Sequence, residues 1–244
     1  MKTYTLSIKL LSDALINSGE GFGAIIDSDV VFDDVGLPYI PAKRIKGCLR
    51  DAAREACEML KSAQVISFIN LDKSDEDREY KIIEQVFGSP GKELPAPAYF
   101  SHLTIDDYEN NRQWLKYFTE KYTKEHEGRS GDSPKKYCTG ILSRDNILST
   151  FTTIRQQTAI SKEGVADEHS LRTIRVLEKG IVFHGEIHAL KDDQNTVKLL
   201  ALGCLNLRRI GTKRNRGFGE VGCKLLDGAT EVSMFDELEA LCTR

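Results

Sequence analysis

QNTVKLLALGCLNLRRIGTKRNRGFGEVGCKLL, running from Gln194 to Leu226, is the stretch that decides the fold. Val197, Leu200, Ala201, Cys204 and Leu207 recur at threes and fours, which predicts an amphipathic helix over about Gln194–Arg209. Glu220–Leu226 then reads as a strand. Between them Arg208, Arg209, Lys213, Arg214 and Arg216 gather around Gly211, Gly217 and Gly219. The 244-residue chain has a formal net charge of -3, so this concentration of cations is local. Bulk charge does not coat a polyanion here, and any polyanion site must be local too.

Outward from this stretch, the order of long elements becomes clear. Tyr4, Leu6, Ile8 and Leu10 alternate with polar residues, a strand over Lys2–Leu11. Val30–Phe32 and Leu37–Ile40 are short extended pieces around the turn Asp33-Asp34-Val35-Gly36. After Pro41, Ile45, Leu49, Ala53, Cys57 and Leu60 predict a helix over Ala42–Ala63. A helix is expected at Asp75–Phe87, extended chain at Ala98–Ile105, and a helix at Arg112–Tyr122 with Trp114, Leu115 and Phe118 inward. Ser143 suits the N-cap of a short helix through Leu148. Extended segments follow to Ile160, at Leu171–Leu177 and at Ile181–Leu190, with the exposed loop Lys162–His169 among them. Ser233–Leu241 forms a terminal helix. Strand, helix, strands, helix, strand is the order of a ferredoxin-like (RRM-like) unit, so the fold class is α+β. No repeat or linker splits residues 1–244, which read as one domain enlarged by insertions. Thr123–Cys138, polar and rich in Gly, Ser and charge, is expected to be a mobile insertion.

Apolar content of 40% and charged content of 29% are those of an ordinary globular protein. No apolar run approaches the roughly 20 residues that span a bilayer, and the N-terminus lacks a signal-peptide core, which points to the cytoplasm and no membrane partner. Cys48, Cys57, Cys138, Cys204, Cys223 and Cys242 never form C-x-x-C, so zinc spacing is absent. Cys57 and Cys204 have apolar neighbours and read as small core hydrophobes.

The basic loop lacks the G-K-[ST] of a Walker loop, but its chemistry suits phosphates. Gly211, Gly217 and Gly219 allow close backbone approach, Lys213, Arg214 and Arg216 supply charge, and Phe218 offers a face for a base. The blander reading is a solvated turn, with Arg208 and Arg209 complementing a helix C-terminus. That reading accounts for those two and leaves the other three cations unexplained. Lys43, Lys46, Arg50 and Arg54 share one face of the helix after Pro41. This is either a solvated face or, with the loop, a track for an extended polyanion.

Four stretches resemble the RAMP superfamily, the RNA-binding subunits of CRISPR effector complexes. They are GLPYIPAKRIKGCLR (Gly36–Arg50), VFGSPGKELPAPAYFSHLTI (Val86–Ile105), RQQTAISKEGVADEHSLRTIRVLEKGIVFHGEI (Arg155–Ile187) and GTKRNRGFGEV (Gly211–Val221). The likeness is strongest to the backbone subunits of type III complexes. It implies guide RNA held by the glycine-rich loop and the first helix, target RNA paired to that guide, and other effector subunits as partners. It also implies a thumb-like hairpin near Thr152–Ser170 that intercalates between guide and target.

The same resemblance implies an aspartate, in a flexible loop after the first strand, that cuts target RNA with a divalent metal such as magnesium. In GAIIDSDVV that position is Asp27, the implied catalytic and metal residue, with Asp29, Asp33 and Asp34 as neighbours. Gly19, Gly21 and Gly23 precede it. A carboxylate there can help hold a metal on a phosphate, or can simply bond its own turn, as Asp33 and Asp34 are placed to do. Two alternatives stay open, a purely structural RAMP subunit and a histidine-dependent guide-processing endoribonuclease. His184 and His188 would be about 13 Å apart on one strand face, too far to share a metal. His126 and His169 lie in loops.

Overall fold

Alternation makes the first strand. β1 (Lys2–Leu10) buries Tyr4, Leu6, Ile8 and Leu10 and leaves Thr3 and Lys9 exposed. The computed structural model describes residues 1–19, 26–65, 78–89, 98–126, 143–162, 164–190 and 193–242. In it β1 is flanked on one side by β7 (Val182–Ala189), with Leu6 opposite Gly185, and on the other by β8 (Val221–Asp227), with Leu6 opposite Leu225. Beyond β7 lie β3 (Ala98–Phe100) and β4 (Leu103–Ile105), then β2 (Tyr39–Ile40), and beyond β8 lies β9 (Thr230–Glu231). All of these pairings are antiparallel. The single extended run expected over Ala98–Ile105 is two strands. Between them Ser101 Oγ accepts from the Glu186 amide at 2.7 Å and donates to the His102 carbonyl at 2.9 Å, which turns the chain.

Two helices cover the apolar face. α1 (Ala42–Ser62) starts after Pro41, and its Ala42 amide donates to His102 Nδ1 at 3.1 Å. It buries Ile45, Leu49, Ala52, Ala53, Ala56 and Cys57. The second helix of the layer, Gln194–Asn206, is capped by Asp193, whose side chain accepts from the Thr196 amide at 2.7 Å. A Cβ at Gly203 of that helix would sit 3.0 Å from the Leu49 carbonyl, so the two helices cross with their backbones close together. The apolar side chains of β1, β7 and β8 join both helices in one core cluster. Each large side chain withdrawn from water there contributes roughly 2 kcal/mol.

The remaining helices are α2 (Arg78–Phe87), α3 (Tyr108–His126), α4 (Arg144–Ser149) and the terminal α6 (Phe235–Cys242), with Gln194–Asn206 as α5. Ser143 caps α4 as expected, accepting from the Asn146 amide at 3.2 Å. α5 ends three residues before Arg209, because Arg209 pairs instead with Glu220 in a β-bridge.

α3 requires a correction. Trp114 is 61% exposed and Phe118 39%, so neither points into a core. The face that docks is polar. Tyr108 donates to Asp33 Oδ2 at 2.8 Å, and Arg112 and Lys116 each approach Asp34 at 2.9 Å. The rings of Trp114, Tyr117 and Phe118 pack on one another instead. α3 also runs through Thr123 to His126, the first residues of the expected insertion, whereas 127–138 lie outside the described residues, as do Gly21 and Gly23.

A second, two-stranded sheet stands apart. β5 (Thr152–Gln157) pairs antiparallel with β6 (Arg172–Leu177), Thr152 opposite Leu177 and Gln157 opposite Arg172. Ala14 bridges to Leu177 and Ser28 bridges, in parallel, to Ile174, so the segment after β1 ties this sheet to the first.

Candidate nucleic-acid interface

The basic loop is a rigid frame. Gly211, at φ +83°, puts the place of its missing Cβ 2.5 Å from the Leu15 carbonyl. Gly219, at φ +77°, would drive a Cβ into the Ile210 carbonyl. Neither position tolerates a side chain. Hydrogen bonds from the Thr212 amide to the Leu15 carbonyl (2.9 Å) and from the Gly219 amide to the Asp13 carbonyl (2.8 Å) fasten both ends. Arg214–Arg216 form one turn of 3-10 helix between Lys213 and Gly217, both in the left-handed region. Only open space lies within 4 Å of the Cβ position at Gly217, so that glycine is the one whose surroundings leave room for a ligand.

The cations of this frame divide. Arg209 Nη1 donates to the Arg214 carbonyl at 2.6 Å and so braces the turn from its exposed side. Arg214 faces α1: together with Arg208, Arg209 and Asn215 it lines an 830 Å³ cleft whose α1 wall carries Arg54 and the carboxylates of Asp51, Glu55 and Glu58. Burial pushes the Cys48 thiol up, and Arg214 is the first of the groups pulling it back. Of the four cations expected on one face of α1, Arg54 lines this cleft, and Lys43, Lys46 and Arg50 stand outside it. Arg50 and Arg54 each lie 3.6 Å from Asp51, exposed pairs that contribute little. Lys46 is lowered by burial first and by Arg50 second. Phe218 is half-buried against the core cluster, so its ring packs inward.

Lys213 faces the other way. Its Nζ donates to Gln157 Oε1 of β5 at 2.6 Å. Its ammonium is held below its usual range by burial first and by Arg216 second, with Asp27 opposing.

Asp27 belongs to the edge of β6. Its amide donates to the Thr173 carbonyl at 2.8 Å, and its Oδ2 accepts from the Thr173 amide at 2.7 Å. Its other oxygen is 3.5 Å from Arg172, and the side chain remains 41% exposed. The remaining aspartates have other work. Asp29 is buried against Arg175, Asp33 accepts from the Val35 and Leu37 amides, and Asp34 meets Arg112 and Lys116. Among the described residues no three of His, Cys, Asp and Glu converge as a metal cage. His184 pairs with Asp106 at 3.1 Å, and His188 with Glu186 at 3.2 Å and Thr3 at 3.0 Å. His169 takes φ +57° between β5 and β6.

Sequence reasoning missed Asp13. Its carboxylate accepts from Arg155 of β5 at 2.8 Å and from the Lys179 amide at 3.1 Å, while its carbonyl accepts from Gly219. One residue thus fastens both the two-stranded sheet and the basic loop. Its only signal is its place just past a strand, which thousands of solvated aspartates share.

Comparison with known proteins follows this geometry. A family model described as the RAMP superfamily matches residues 7–222. No curated protein matches in sequence. Among solved structures, similar chains occur in a type III-B Cmr-beta complex bound to cognate target RNA and in its apo state. Each has a TM-score of 0.58 and 14% identity, over 92% of this chain and 97% of that one. A chain of a type IV-B CRISPR complex has a TM-score of 0.50 and 13% identity, over 95% of this chain and 93% of that one. At such identities the likeness to solved structures is one of fold: mixed helix and strand, with antiparallel sheets. The family match runs from within β1 to the first residues of β8, and by it the chain belongs to the RAMP superfamily.

Proposed function

We propose that this chain is a guide-RNA-binding backbone subunit of a type III CRISPR ribonucleoprotein complex, and that the complex cuts guide-paired target RNA at Asp27. The observation that carries the RNA-binding half is the cleft between α1 and the basic loop, where Arg54, Arg208, Arg209 and Arg214 outnumber the carboxylates of Asp51, Glu55 and Glu58 on a chain that is acidic overall. Family membership and the RNA-bound complex among the structural neighbours support it. On this reading the strand order β4-β7-β1-β8, with α1 and α5 on one face, is a ferredoxin-like core within a single domain. The β5–β6 sheet is the thumb-like hairpin. No helix among the described residues is long and apolar enough to cross a membrane, and we place the complex in the cytoplasm.

Guide phosphates would lie along Lys46, Arg50, Arg214 and Arg216, with Lys43 and Arg54 flanking them. Single-stranded RNA held this way is bound by charge and shape and not by sequence.

Asp27 is a lone carboxylate, and it fits magnesium in the one manner open to it. Magnesium is commonly held by one or two carboxylates together with substrate phosphates, so Asp27 would hold the ion jointly with the RNA. Bound there, the ion would supply charge to a phosphate and lower the pKa of an attacking hydroxyl. The residues of the chain do the rest: Thr173 and Arg172 orient the carboxylate, and the loop cations set the register of the RNA.

One observation favours a second reading, RNA binding without cutting: both oxygens of Asp27 already have partners. Cleavage of a guide-matched RNA by the assembled complex decides between them. Asp27→Ala is expected to abolish cutting and leave guide affinity intact, and removal of divalent ions is expected to stop wild-type cutting. Unchanged cutting by the variant would put the structural subunit in front.

A further inference from the structure

Lys213 is grouped by sequence with Arg214, yet the fold turns their two side chains apart. It takes the left-handed conformation, φ 56° and ψ 27°, uncommon for a residue with a side chain and held only where surroundings impose it. Arg214 points to the α1 cleft, whereas the Lys213 ammonium reaches β5 and donates to Gln157. Gln157 stands directly opposite Arg172 in the β5–β6 ladder, and Arg172 approaches Asp27 at 3.5 Å. Lys213, Gln157, Arg172 and Asp27 therefore lie in one polar row at the end of the β5–β6 ladder from which the connecting loop leaves. Asp27 is also close enough to act on the charge of Lys213. An ammonium has three donors and Gln157 takes one of them.

Resting on the reading of Asp27 as the cutting site, we propose that Lys213 holds a non-bridging oxygen of the target phosphate that is cut, with Gln157 as its positioning residue. Cutting forms a bond from a hydroxyl oxygen to phosphorus and breaks the bond from phosphorus to the leaving oxygen. The attacking hydroxyl releases its proton to solvent water, and the leaving oxygen takes one from it, so the atoms balance without another reactant. Negative charge rises on the non-bridging oxygens in the transition state, and a fixed cation beside them speeds the step more than it tightens binding. Two adjacent loop cations thus serve different strands: Arg214 the guide, Lys213 the target.

The test uses the assembled complex with its guide, full-length subunits and a guide-matched RNA. Lys213→Gly and Lys213→Asn both suit the left-handed backbone, so folding survives loss of the ammonium. Single-turnover cutting is expected to fall about 100-fold in both, the loss typical of removing one charge-stabilising donor. Guide affinity is expected to stay within about twofold and the salt slope of guide binding to stay unchanged, since no guide phosphate contact is lost. Lys213→Arg is expected to recover part of the rate, and Gln157→Ala to lower the rate without lowering guide affinity. Cutting by both Lys213 variants within about threefold of wild type, with Asp27→Ala inactive, would overturn the role of Lys213 and leave the cutting site standing. A drop in guide affinity matching the drop in rate would return Lys213 to the guide track and also overturn it. Wild-type cutting by Asp27→Ala would remove the cutting site itself, and the inference with it.

Discussion

Asp29→Ala tests how the Asp27 segment is held. The Asp29 side chain is 5% exposed and Arg175 of β6 is 12% exposed, with Nη1 to Oδ2 at 3.1 Å. Asp29 Oδ1 also accepts from the Val30 amide at 2.8 Å. Removing the carboxylate leaves a guanidinium buried without its counter-charge, which costs about 3–5 kcal/mol. For 244 residues the entropy of unfolding is about 0.5 kcal/mol per kelvin, so the midpoint is expected to fall by about 6–10 °C. The double variant Asp29→Ala/Arg175→Met removes both charges and is expected to recover most of that loss. Thermal unfolding followed by circular dichroism, with urea titration for the m-value, measures both. Amide exchange adds a local readout. The Asp27 amide bonds to the Thr173 carbonyl at 2.8 Å and the Arg175 amide to the Ser28 carbonyl at 3.0 Å, and both are expected to exchange faster in Asp29→Ala. A single-variant loss under about 1 kcal/mol, or a double variant no more stable than the single, would refute the buried-pair argument.

Other expectations follow from the same geometry. Reversing the charges of Lys46, Arg50, Arg214 and Arg216 is expected to weaken guide RNA binding and to flatten the salt dependence of log affinity by about 0.7 per lost phosphate contact, read from titrations at several salt concentrations. Gly219→Ala is expected to unfold the subunit at markedly lower urea than wild type, because a Cβ there strikes the Ile210 carbonyl at a left-handed backbone. Lys116 first and Arg112 second hold the Asp34 carboxyl down at about 2, below its ordinary 3.8. A lowered carboxyl stabilises the fold above its unfolded pKa and loses that contribution as pH falls through the folded one. The pairs are half-exposed, so Asp34→Asn is expected to cost less than about 1 kcal/mol at neutral pH, with the difference from wild type vanishing between pH 4 and pH 2.

Local patterns carried far in this chain. The alternation of Tyr4, Leu6, Ile8 and Leu10 located the central strand, and the threes and fours after Pro41 located α1 to within a residue of its end. The cap at Ser143 was legible because an N-cap is a contact three residues long. What failed depends on distant partners. α5 stops early because Arg209 finds Glu220. Trp114 and Phe118 face outward because α3 docks through Asp33 and Asp34, some eighty positions earlier in the chain. The basic loop was recognisable by composition, but its division was not: the contact of Lys213 with Gln157 and of Arg214 with the α1 cleft is set by β5–β6 register and helix crossing. Asp27 was flagged by resemblance alone. Its bonds to Thr173 come from the parallel bridge at Ser28 and Ile174, which no periodicity announces.

The frame around the basic loop bears on the entropy of recognition. Gly211 and Gly219 press against the carbonyls of Leu15 and Ile210, and the loop ends are bonded to Leu15 and Asp13. These contacts belong to the fold itself and need no polyanion to form. Many phosphate-binding loops become ordered only on contact and lose affinity to that ordering. A polyanion meeting this loop would have only side chains left to order, so its association should be fast and nearly free of induced fit.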